Sequence, residues 1–245
     1  MDKVFFEDIP LTIVTREEIE KYFFEVLSLK EKKYISFINP EIVLQQFNDP
    51  QLNEYFIKAD KNFIDGVNLF YAINKVLKTK YSSANRIPGT DFFDYLPKVE
   101  INVFFYGAKE ENCLMAKEII EEKYPNIKIC GHINGYTNKS NDEIITEINK
   151  SGCDILIVCL GCPRQEHWIK NNFNNLNTTL VFGNGGSIDF WSGKIKRAPD
   201  FIIKLGYEWL YRLFASFSFS RLKRQSKLIK FYVNYKLKRY RIYRK

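Results

Sequence analysis

The sequence predicts an α/β protein: a Rossmann-like parallel sheet flanked by helices, with a basic helical appendage at the C-terminus. Three observations carry this. From residue 101 onward, β-rich apolar runs alternate with amphipathic stretches of helical period. One run, "ILIVCLG" (155–161) after Asp154, is apolar throughout, as strands buried on both faces are. The last 25 residues, "RLKRQSKLIKFYVNYKLKRYRIYRK", hold eleven Lys or Arg and no acid.

The elements follow in order. "TREEIEKYFFEVLSL" opens with Thr15 and has Glu18 three residues on, the pattern of a capping box before a helix. "YISFIN" (34–39) reads as a strand, and Pro40 then begins a helix at its favoured first position. "NFIDG" (62–66) is a short strand ending in Asp-Gly, followed by the helical "VNLFYAINKVL". "INVFFYG" (101–107) is a strand ending in glycine, and "KEENCLMAKEIIEEKYP" is a helix stopped by Pro125. "IKICGHING" is the next strand, and "SNDEIITEINKSG" a capped helix closed by Gly152. "DILIVCLG" is a strand, "PRQEHWIKNNFNNL" a helix and "TTLVFGNGG" a strand, after which the chain turns helical and basic beyond Gly193. Repeated strand–helix units imply right-handed crossovers and a parallel sheet. The expected domains are residues 1–195 and the appendage 196–245.

Composition narrows the function. With 45% apolar and 16% aromatic residues, 245 residues suffice for a sizeable core. The N-terminus carries acids where a signal peptide would be basic and then apolar, and no run approaches a membrane span, so a cytoplasmic location is expected. The net charge of +8 includes the +11 of residues 221–245, which leaves −3 for the remainder. A mildly acidic body with a basic, aromatic-laced tail points to an anionic partner surface. Five cysteines form no spaced framework. The Cys159-x-x-Cys162 pair lies at a strand end rather than at the start of a helix, and His132 and His167 lack metal-site spacing, so core thiols are the better reading.

In an open parallel sheet, ligands collect beyond the carboxyl ends of the strands. That places Gly107, Gly135, Gly161 and the Gly183–Gly186 turn at one crevice, with Gln165 and Asp189 nearby in sequence. Pro163 is expected to begin a helix whose free N–H groups favour an anion. Glycine also serves simple turning, and neither G-x-G-x-x-G nor a P-loop is present. Asp65, ending an apolar strand, is a candidate general base or equally a helix cap or turn former. No D-x-D occurs, so a diphosphate here would rely on amides and on cations such as Lys194, Lys196 and Arg197.

Several segments resemble the WecG/TagA/CpsF family of bacterial glycosyltransferases: "INPEIV", "DGVNLFYA", "RIPGTDFF", "FFYGAKEENCLMAKEIIEEKYPNIKICGHINGY", "DILIVCLGCPRQEHWI" and "GNGGSIDFWSGKIKRAPDFIIKLGYEWLYRL". The resemblance runs from about Asn39 to Arg224. It implies an inverting transfer, without metal or other cofactor, from a UDP-sugar to a polyprenyl-diphosphate-linked sugar at the inner face of the cell membrane. It implies Asp65 as the catalytic base, and Asn39, Arg86, Arg212, Arg221 and Arg224 on the acceptor side. The nucleotide-sugar would meet Gly107, Gly135, Tyr136, Gly161, Pro163, Gln165, Gly185, Gly186 and Asp189. Two departures stand out: Phe37 where the family commonly has threonine, and Asn184 where it often has an apolar residue.

Two other readings remain open from the sequence. The tail, from Leu222 onward, mixes apolar residues with cations as an interfacial helix does. Basic residues interleaved with tyrosines also suit RNA, although the absence of acids and the near-helical spacing favour a membrane, so no nucleic acid is expected. A UDP-sugar sensor without turnover is the third reading. Self-association is compatible with all of them.

Overall fold

The computed structural model of the chain describes residues 1–195, 198, 199, 202, 230–237 and 239–244. In chain order the elements are β1 (Asp2–Phe6), β2 (Ile9–Ile13), α1 (Arg16–Leu29), β3 (Lys33–Ile38), α2 (Pro40–Gln45), α3 (Pro50–Lys58), β4 (Lys61–Ile64) and α4 (Val67–Leu77). Then come β5 (Ile101–Gly107), α5 (Glu110–Lys123), β6 (Ile127–Ile133), α6 (Asn141–Lys150), β7 (Ile155–Cys159), α7 (Arg164–Asn172), β8 (Leu180–Gly183) and α8 (Ile188–Trp191). Residues 230–236 form α9, and β9 (Ile242–Tyr243) is the last element. The fold is α/β, with a mostly parallel open sheet flanked by helices.

The chain divides into two compact units. The first comprises Met1–Thr15, Phe37–Pro88 and Ile195–Lys245; the second comprises Arg16–Ser36 and Gly89–Lys194. The division expected at 195/196 is a different cut, and most of 196–245 lies outside the described residues.

The second unit is the strand–helix alternation read from the sequence. β5 pairs in parallel with β6 on one side and β7 on the other, β7 pairs with β8, and β8 pairs with Lys33–Ile35 of β3. All five residues of β7 are buried, as its unbroken apolar run requires. Ser140 accepts from Glu143 N–H while the Glu143 carboxylate accepts from Ser140 N–H, the reciprocal cap expected for α6. The β5–β6 register shifts between Val103 and Phe104, where a Cβ on Gly131 would come within 2.5 Å of the Phe104 ring. Phe92 anchors this core, 4.4 Å from Phe182 and 5.3 Å from Phe23 between ring centroids. A fully buried phenylalanine of this kind contributes about 1.5–3 kcal/mol.

The first unit holds elements that sequence patterning did not anticipate. β1 and β2 form an antiparallel hairpin with Phe6 opposite Ile9, and β2 continues in parallel pairing with β4 at Thr12 and Phe63. β9 pairs antiparallel with β1, so the described C-terminus ends in a strand where a helix was expected. Two residues of strand are too few to leave a periodic signature. Phe231 of α9 is fully buried and stacks on Phe6 and Tyr240.

Candidate active site

In the first unit, backbone bonds gather Asn39, Asp65 and Arg86. Ile38 C=O accepts from the N–H groups of both Asp65 and Gly66, at 2.9 and 3.2 Å, and Ile64 C=O accepts from Ile87 N–H. Asn39 caps α2, its Oδ1 accepting from Glu41 and Ile42 N–H at 3.0 Å each. Gly66 must be glycine here, because a Cβ would stand 2.5 Å from Pro40 Cδ. Gly66 is also the N-cap of α4. Asp65 thus precedes the N-cap position of α4. Phe37, the departure from the family pattern, is a core residue packed against Phe63.

In the second unit, the carboxyl ends of β5, β6, β7 and β8 come together as expected, but most of their glycines have a packing reason. Gly107 has φ +114°, and a Cβ there would lie 2.5 Å from the Cys159 carbonyl carbon. Gly135 N–H donates to Ala108 C=O, which joins the β5 and β6 ends. Gly161, Gly183 and Gly185 surround one side chain, Gln165. Gln165 Oε1 accepts from Gly161 N–H at 3.0 Å and from Gly185 N–H at 3.1 Å. A Cβ on Gly183 would come within 2.6 Å of the Gln165 amide, and one on Gly185 within 2.9 Å of Gly161 N.

The start of α7 differs in one respect from what the sequence led one to expect. Pro163, joined to Cys162 by a cis peptide, is the N-cap of α7 rather than its first residue. The Gly161 amide is already taken by Gln165. Gln165 itself is only 4% exposed, and Nε2 donates to Glu166 Oε1 at 2.8 Å. Burial pushes the Glu166 carboxyl above its ordinary range.

The remaining expected nucleotide residues are the exposed ones and the α8 aspartate. Tyr136 is 77% exposed, its backbone held by a bond from its N–H to Asn134 Oδ1. Around Gly186 a Cβ would meet nothing within 4 Å, so this loop tip faces open space. Asp189 in α8 accepts from the buried Asn112 Nδ2 at 3.0 Å, which ties α8 to α5. The proposed acceptor residues Arg212, Arg221 and Arg224, with Lys196 and Arg197, lie outside the described residues.

Two residues went unremarked in the sequence, and a third gains a reason. Arg164, exposed at the start of α7, donates to Leu160 C=O at 2.7 Å and lies close enough to influence Tyr106. It puts a cation at the β7 end; its only sequence signal was its place beside Pro163. Glu110 opens α5 at the β5 end, and hydrogen bonding to His132 holds its carboxyl below the usual range. The charge at the two strand ends is thus of opposite sign. Asn184 Nδ2 donates to Gly89 C=O and its Oδ1 accepts from Ser187 Oγ, so this family departure fastens the glycine loop to residue 89.

Among the described residues no three of His, Cys, Asp or Glu converge as a metal-binding group. All five cysteines are free. Burial pushes Cys113 up to about 11 and Cys159 well above the ordinary thiol range. Because the thiolate is the reactive form, a thiol reagent at pH 8 is expected to leave Cys113 and Cys159 unmodified in the native protein. Both should react once denaturant unfolds it. Mass spectrometry of tryptic peptides reads the result, and rapid native labelling of Cys159 would contradict the buried position.

Comparison with known proteins identifies the family of the chain. Residues 4–244 match the model of the glycosyl transferase WecG/TagA/CpsF family, a span that takes in the N-terminal hairpin and β9. An N-acetylglucosaminyldiphosphoundecaprenol N-acetyl-beta-D-mannosaminyltransferase of Bacillus subtilis is 35% identical over 186 residues, covering 73% of this chain and 70% of that protein. A protein of the same name from Staphylococcus aureus is 32% identical, with 73% and 70% covered. The counterpart in Bacillus spizizenii is 33% identical, with 74% and 70% covered. With the family model matched from the first strand to the last, the chain belongs to the WecG/TagA/CpsF family of glycosyltransferases.

Proposed function

We propose that this enzyme transfers a sugar of the N-acetylmannosamine type from a UDP-sugar to N-acetylglucosamine carried on a polyprenyl diphosphate, at the cytoplasmic face of the membrane. The observation that carries the reading is similarity over nearly three quarters of the chain to mannosaminyltransferases named for that acceptor. The second unit's strand ends take the donor. Gly107, Gly135, Gly161 and Gly185 bring backbone close to it, and Tyr136 offers an exposed ring for the base. Pro163, Gly186 and Asp189 complete that side. Arg164 supplies positive charge for the diphosphate, aided by Lys194.

Asp65 is the general base. Its carboxylate takes the proton of the acceptor hydroxyl as that oxygen attacks the anomeric carbon; the bond to UDP breaks, and its electron pair leaves with the diphosphate. Attack from the face opposite the leaving group inverts the anomeric centre. Asn39, Arg86 and the tail arginines 212, 221 and 224 serve the acceptor, with the arginines neutralising its diphosphate. Among the described residues no helix is long and apolar enough to cross a membrane, which suits peripheral attachment to a lipid-linked substrate.

A panel of UDP-sugars with a short-chain lipid-diphosphate acceptor, scored by UDP release, tests this. Turnover is expected with UDP-N-acetylmannosamine and is expected to persist in excess EDTA. Loss in chelator with recovery on Mg²⁺ or Mn²⁺ would overturn the cation-based account of the diphosphate. Turnover with none of the donors would overturn the transfer reading.

A further inference from the structure

Gln165 stands at the junction of two loops that are far apart in sequence. Its Oε1 faces the Gly161 and Gly185 N–H groups, and its Nε2 faces Glu166 Oε1. Two donors on one side and a carboxylate on the other permit a single orientation of the carboxamide, since a flipped amide would set NH2 against N–H twice. Glu166 is 3% exposed, and besides Gln165 its carboxyl is met by its own backbone N–H and the Cys162 thiol. A buried carboxylate is costly, and the bond it gives Gln165 adds to the two glycine N–H groups in selecting one amide orientation. The glycines fit the same design: Gly183 and Gly185 leave room only for Gln165 and for close approach to Gly161.

We infer that Glu166 is a positioning residue of the donor site, acting through Gln165. By holding the Gln165 carboxamide with its oxygen on Gly161 and Gly185, it clamps the loops that follow β7 and β8. The inference rests on the reading of these strand ends as the place where the nucleotide-sugar binds. Glu166 touches no substrate; it sets the loop separation that the donor meets.

The test combines amide hydrogen exchange at Gly161 and Gly185 with donor kinetics, in the full chain. Removing the carboxylate, E166L, leaves the Gln165 amide group buried without its partner. Exchange at both glycines should quicken, and the donor KM should rise about tenfold, with kcat changed far less. E166Q keeps an acceptor oxygen and should stay close to the native enzyme. Q165E sets two carboxylates against each other and should lose protection at both amides. The swap Q165E/E166Q restores one acceptor for the loops and one donor between the side chains, so protection and KM should return. Should E166L fail to fold, the comparison of Q165E with the swap carries the same question. Native-like exchange in E166L, or a swap no better than Q165E, overturns the inference. Exchange needs no ligand, so a native protein that binds no UDP while showing this pattern would sink the donor reading and leave the clamp standing.

Discussion

An Asp65→Asn enzyme is expected to lose sugar transfer by about 10²–10⁴-fold while keeping UDP affinity within a few-fold of the native value. The argument is local. Asp65 follows β4 directly, and its peptide is fixed by the bond from its N–H to Ile38 C=O. Asparagine keeps the shape and leaves that backbone bond intact. The helix that follows has Gly66 as its N-cap, and asparagine caps as well as aspartate does. What the substitution removes is a group able to take a proton. The residues proposed for UDP belong to the second unit, whereas Asp65 belongs to the first, so donor binding has no reason to fall. Transfer and UDP titration on the same preparation decide the matter. Nearly full turnover would return Asp65 to a turn-forming role.

The second unit was legible in the sequence because each strand there carries its own local signal. β5, β7 and β8 are apolar runs that meet glycine or a strand-end turn, and the helices between them are capped or stopped by Ser140, Gly152 and Pro125. The first unit was much less so. Its hairpin turns at Glu7-Asp8 with Glu7 at φ +52°, where a pattern search looks for Asn-Gly. Pro10 sits inside β2, a residue that ordinarily argues against a paired strand. Here the loss of its N–H is tolerable, and its carbonyl accepts from the buried Asn62 Nδ2. Neither signal is local, because both strands are held by partners far along the chain.

The site shows the same contrast. Glycine at strand ends pointed to one edge of the second unit's sheet, since position relative to a strand is a local property. The reason for those glycines was hidden, because Gly183 and Gly185 answer to Gln165, about twenty residues earlier. Asn184 was visible as a departure and became intelligible only through its bond to Gly89. Packing across sequence distance is what patterning leaves out.

The tail is where the second large effect is expected. Read as sequence, residues 225–245 form a detachable basic anchor whose removal weakens binding to anionic liposomes and spares the body. The described part of that segment is instead built into the first unit. Phe231 is fully buried at 6.2 Å from Phe6 and 5.4 Å from Tyr240 between ring centroids, and Tyr232 Oη donates to Asn68 Oδ1 at 2.6 Å. Ile242 is buried in β9, and Arg241 N–H donates to Glu7 Oε1. Phe231→Ala is therefore expected to cost about 3–5 kcal/mol, which lowers Tm by on the order of 10 °C in a chain of this size. Removing the exposed Arg241–Asp8 pair should cost at most about 1 kcal/mol. Thermal unfolding of both variants reads the difference, and an unchanged Tm in Phe231→Ala would show that α9 does not dock in solution. Deletion then confounds anchoring with folding, so anchoring is better tested at the surface. Lys230, Lys236 and Arg239 are exposed, and reversing all three to glutamate leaves the aromatic core in place. If the membrane reading holds, liposome binding should weaken by at least about tenfold, since each cation near an anionic surface contributes about 1 kcal/mol. The loss should shrink as salt screens the charges. A triple variant that binds anionic liposomes as well as the native protein at low salt would remove this end of the chain from the anchor.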